Sequence, residues 1–106
     1  MKESDWKKFK RIKEKAIERF CGQALEEFKK LISDTETDVH DRYLRLYKQV
    51  RDRNKEMSRI FDGHSRSHAP LQLTLIRSRE LAPEALLAEL SDELLEQTKP
   101  NLFGRD

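Results

Sequence analysis

The sequence predicts an all-α fold: a long antiparallel helical hairpin plus two shorter helices, bundle-like in arrangement. Three observations carry this. Apolar residues recur at three- and four-residue steps over two stretches of about 25 to 30 residues, a helical periodicity sustained for roughly 40 Å in each. Cap-forming side chains crowd the gaps between stretches. Only one short segment alternates like a strand, and nothing else reads as a strand to pair with it. With 106 residues, 40% charged, 36% hydrophobic and three glycines, the chain suits one helical domain over 1–106 with a modest core, whose tail at 100–106 is free to fray.

The first helix is expected from Asp5 to about Ser33, with Trp6, Phe9, Ile12, Ile17, Phe20, Cys21, Ala24, Leu25, Phe28, Leu31 and Ile32 on one stripe. Ser4 is a suitable N-cap and Asp5 meets the positive end of the helix dipole. Gly22 interrupts the stripe at a cost of roughly 1 kcal/mol relative to alanine, and marks a bend or a close helix contact. The run Ser33-Asp34-Thr35-Glu36-Thr37-Asp38 predicts a short turn, with a second helix starting near Thr35 or Thr37. Its core stripe reads Val39, Tyr43, Leu46, Tyr47, Val50, Met57, Ile60 and Phe61, and Gly63 closes it in the left-handed conformation.

Leu71, Leu73 and Leu75 alternate, but without a partner strand a helix is the better expectation, with Pro70 in its first turn. A final helix restarts at Ala82-Pro83-Glu84 and carries Leu86, Leu87, Leu90, Leu94 and Leu95 as one stripe until Pro100 stops it. Leu102 and Phe103 then dock or fray with the tail. These two shorter helices can cover only part of the hairpin, which leaves apolar surface for a second copy or another protein.

Lys and Arg number 22 against 20 Asp and Glu, for a net +2, yet the charge alternates by segment. Residues 1–22 and 41–68 each carry eight basic and four acidic side chains, whereas 23–40 carry two and five, and 69–106 four and seven. Lys7, Lys8, Lys10, Arg11, Lys13 and Lys15 make the start of the first helix basic. Arg42, Arg45, Lys48, Arg51, Arg53, Lys55 and Arg59 run the length of the second. These faces are the candidates for phosphate contact; the simpler account is a solvated surface with internal ion pairs. The aromatics that could stack on bases, Trp6, Phe9, Tyr43 and Tyr47, lie on the apolar stripes and are expected in the core.

Composition changes character only at Asp62-Gly63-His64-Ser65-Arg66-Ser67-His68-Ala69-Pro70. His64 and His68 are four apart, a spacing that can place two metal ligands on one helix face, but Gly63 and Pro70 disfavour that geometry. The other ligand types available are Asp62, His40 and Asp41. The last two lie some twenty residues of helix away, roughly 30 Å, and would reach the loop only from an antiparallel second subunit. Neither metal nor cofactor is expected. Gly63, Ser65, Arg66 and Ser67 could instead form an anion pocket, although ending one helix and starting the next explains the glycine, serines and proline. His64, Arg66 and His68 are left without a duty in that turn. Contiguous Ser, His and Asp do not make a triad, so no enzyme is expected.

Cys21 cannot form an intrachain disulfide and sits on the apolar stripe, which suits a reducing cytosol and an inert thiol. Trp6 is a hydrophobic lid or a partner anchor. No apolar run approaches the roughly 18 residues of a membrane span, and no signal peptide opens the chain. The expected function is a small cytosolic helical interaction module, adaptor or regulatory in kind, self-associating as a dimer, with Asp62, His64, Ser65, Arg66, Ser67 and His68 as a recognition loop. The alternative is a nucleic-acid-binding accessory protein that uses the basic faces.

Overall fold

In the computed structural model, which describes residues 1–100, α1 (Glu3–Ser33) and α2 (Val39–Phe61) form the arms of the hairpin. Ile32 meets Arg42, Glu27 meets Arg53 and Phe20 meets Phe61, so the arms run antiparallel. α3 (Ala69–Ser78), α4 (Glu84–Leu87) and α5 (Asp92–Gln97) pack at the open end. No strand forms among the described residues, and Leu71 to Ile76 are helical. The tail residues Leu102 and Phe103 lie outside the described part.

Three boundaries differ from expectation. α1 starts ahead of Ser4, with Lys2 at the N-cap position and no side chain capping it. Asp5 in that first turn is buried and reaches across the molecule, accepting from the Ser91 amide at 3.0 Å and the Ser91 hydroxyl at 2.6 Å. α2 starts later than Thr37, because Asp34 uses its carboxylate to hold the turn, accepting from the Glu36 amide and the Thr37 hydroxyl. Asp38 becomes the cap, accepting from the amides of His40 and Asp41.

The expected final helix is two helices. Ser91 caps α5 by accepting from the Leu94 amide, and its bonds to Asp5 pin the break in place. α3 ends without a glycine: Glu80 takes the left-handed conformation at φ 56°, and the Leu81 amide closes back on the Ile76 carbonyl at 3.0 Å. Gly63, at φ 88°, follows the end of α2 as expected.

The core joins Phe9, Ile12, Ala16 and Phe20 of α1 with Ile60 and Phe61 of α2, Leu73 and Ile76 of α3, and Leu81, Leu90 and Leu94. Phe20 and Phe61 meet edge to face with centroids 6.0 Å apart. All of these residues lie at the base of the hairpin, where the short helices form a third layer. From Leu25 to Arg59 no residue is buried.

Candidate functional site

The loop between α2 and α3 is fastened to α1 by the side chains that the turn itself does not require. His64 packs against Trp6 with ring centroids 5.1 Å apart, and Lys10 lies over the same indole at 5.4 Å. Arg66 pairs with Glu3. Lys13 donates to the Gly63 carbonyl at 2.7 Å; burial lowers the pKa of its ammonium, against the opposing pull of Asp62. On the other side, buried Gln72 donates to the carbonyls of Asp62 and Gly63, at 2.7 and 3.1 Å.

Ser65 and Ser67 share a hydrogen bond, and the Ser65 hydroxyl accepts from the His68 amide, so Ser65 shapes the turn before α3. His68 occupies the N-cap position with its ring exposed. Asp62, His64, Ser65, Arg66, Ser67 and His68 therefore form a strap over the start of α1, in which His64 and Arg66 hold the strap down. His40 and Asp41 lie at the far end of α2, roughly 34 Å of helix away. Among the described residues no group of three or more His, Cys, Asp or Glu side chains is placed to hold a metal ion.

The basic residues divide by direction. Arg42 donates to the Ile32 carbonyl at 2.7 Å, and Arg53 pairs with Glu27 and lies over Phe20 at 5.2 Å, so both point at α1 rather than outward. Glu56 extends that network to Arg79. Lys8 donates to the Glu89 carbonyl at 2.8 Å. Lys7, Lys10 and Arg11 remain exposed at the base. Arg45, Lys48, Arg51, Lys55 and Arg59 recur at three- and four-residue steps and are exposed, which makes one basic ridge along α2. Arg51 is partly offset by Asp52 at 3.9 Å and leans over Tyr47.

A depression of about 400 Å³ lies between Arg19, Arg77, Glu80 and Glu84. Its cations are already used: Arg19 donates to the Glu80 carbonyl, and Arg77 to the Leu95 carbonyl and the Thr98 hydroxyl. No reactive constellation forms there.

The distal hairpin has a different character. Tyr43 and Tyr47, expected in the core, are 70% and 63% exposed, and Leu25, Ile32, Val39, Leu44 and Val50 are exposed with them. On α1, Ile17, Cys21 and Leu25 each follow a buried residue, Ala16, Phe20 and Ala24, so they form a second apolar stripe about 100° round the helix. Phe28 and Ile32 continue it. Cys21, Leu25 and Phe28 of this stripe, with Val50, Arg53, Asn54 and Met57 of α2, line an open and mostly apolar groove of about 250 Å³. The strap covers the start of the same α1 face, over Trp6, Lys10 and Lys13, and leaves the remainder open.

What sequence reasoning missed was the placement of this surface. The signal present was the mismatch in length between the hairpin and the helices that follow it. Comparison of the chain with protein-family models, with curated proteins and with solved structures found no match.

Proposed function

We propose that the protein is a helical interaction module that self-associates through the distal half of its hairpin. The carrying observation is a contiguous apolar surface on both arms, from Leu25 and Ile32 to Tyr43, Tyr47 and Val50, in a region with no buried residue of its own. Large apolar patches on water-soluble domains mark docking sites, because covering them releases ordered water at about 25 cal/mol per Å². Of the side chains that line its groove only Arg53 is charged, and it is paired with Glu27, which suits an interface with an apolar centre and a polar rim. The lone, half-buried Cys21 in the groove suits a reducing, cytosolic setting.

Sedimentation velocity across a micromolar concentration series tests this. A concentration-dependent dimer is expected, lost in Leu25→Glu or Tyr47→Glu with unchanged helical circular dichroism. A clean monomer at high micromolar concentration would overturn the proposal.

A second reading has its own observation. Exposed Tyr43 and Tyr47 stand beside the basic ridge of α2, an arrangement of stacking rings and cations that suits nucleic acid. It predicts binding that weakens steeply as salt rises, and the absence of any mobility shift at about 50 mM salt would end it.

A further inference from the structure

We infer that the second copy docks antiparallel, hairpin tip to hairpin base, with α1 crossing α1 near Gly22; this deepens, and rests on, the self-association proposed above. Arg11, Glu18, Gly22, Leu25 and Lys29 are all exposed and recur at steps that keep them on one line along α1. That line borders the open apolar stripe. Turned end for end about a point between Gly22 and Leu25, it is its own complement. Glu18, which within its own chain lies 3.6 Å from Lys15, falls opposite Lys29 of the other copy, twice by symmetry, and Gly22 falls opposite Leu25. A Cβ at Gly22 would meet nothing within 4 Å in the single chain. The missing side chain is therefore not required by the fold, and its place is where a second helix can approach closely.

The ends of the molecule point the same way. The tip, residues 33–41, holds Asp34, Glu36, Asp38 and Asp41 and no Lys or Arg. The base of α1 is net basic, with eight Lys and Arg against four Asp and Glu over residues 1–22, and Lys7, Lys10 and Arg11 are exposed there. A parallel pairing would bring the two acidic tips together, whereas the antiparallel one sets each acidic tip over a basic base.

Charge reversal distinguishes the orientations. In the antiparallel dimer E18K and K29E each turn two attractive pairs repulsive, so each weakens dimerisation about tenfold, and the E18K/K29E double variant restores it. A parallel α1 pairing sets Glu18 against Glu18 and Lys29 against Lys29. Single reversals then leave affinity unchanged, and that result overturns the orientation while self-association stands. Spin labels at Thr35→Cys in a Cys21→Ser background provide a second measure. A tip-to-tip separation of roughly 35 Å is expected; one below about 20 Å overturns the arrangement. Gly22→Gln is expected to raise the melting temperature of the monomer yet weaken the dimer, and an unweakened dimer overturns the crossing at Gly22. Monomeric behaviour of the unsubstituted chain at high micromolar concentration overturns self-association itself.

Discussion

The base and the tip of the hairpin are built from the same two helices with the same apolar periodicity, yet every buried side chain of the described residues lies at the base. At the base, Phe9, Ile12 and Phe20 are closed over by α3 and the segments after it. At the tip, Leu25, Ile32, Tyr43 and Tyr47 continue the pattern in the open. Periodicity decides which face of a helix is apolar; a third layer decides whether that face is buried.

The contrast can be broken most directly by truncating one side chain in each region. Leu73→Ala removes a fully buried side chain at the base and is expected to cost about 2–5 kcal/mol in chemical denaturation. Tyr47→Ala at the tip, measured below the concentration of dimerisation, is expected to stay within about 0.5 kcal/mol. Similar costs for the two would break the comparison.

Next in size is Asp5→Ala, which leaves the Ser91 amide without its acceptor and is expected to cost about 1–3 kcal/mol, with faster amide exchange in α5. Burial pushes the Asp5 carboxyl up, but hydrogen bonds from the Ser91 hydroxyl and amide, with Lys2 and Lys8 nearby, outweigh this and hold it below its ordinary value of 3.8. A carboxyl lowered in the folded state adds stability that is present above its unfolded value and is lost as pH falls through the folded one. An acid titration of stability should therefore fall below about pH 4 in the parent chain and be flatter in the Asp5→Ala variant.

A smaller change sharpens the contrast from the other direction. Glu80→Gly removes the side chain from a left-handed residue at the base, and is expected to add about 0.5–1 kcal/mol to thermal stability. Smallest of all, Arg66→Ala breaks an exposed pair with Glu3 and should shift stability by less than about 0.5 kcal/mol while loosening the strap, read as faster amide exchange at Ala69.

Much of this architecture was legible in the sequence. The two long helices, the turn at Asp34 to Asp38, the break at Gly63 and the helix at Leu71 to Ile76 follow from spacing and caps, whereas the α2 stripe expected in the core is buried only at Ile60 and Phe61. The limited reach of the later helices also announced that some apolar surface would be left over. Where it would lie was not legible, because Leu25 and Ile12 look alike along the chain and differ only in what packs on them. The same limit explains the break between α4 and α5, which depends on Asp5, 86 residues from Ser91. It also explains His64 and Arg66, which look idle in the turn because their partners Trp6 and Glu3 belong to α1. Arg42 and Arg53 read as part of a basic face until α1 is placed beside them.

The bond between Asp5 and Ser91 has a consequence for synthesis. A chain emerging from a ribosome presents α1 and α2 first, with Phe9, Ile12 and Phe61 still waiting for Leu73, Leu90 and Leu94. The hairpin therefore leaves the exit tunnel apolar on its core face as well as at its tip. Native closure is deferred until the segment through Leu94 has been translated, and during that interval the core face of the hairpin has no partner from its own chain.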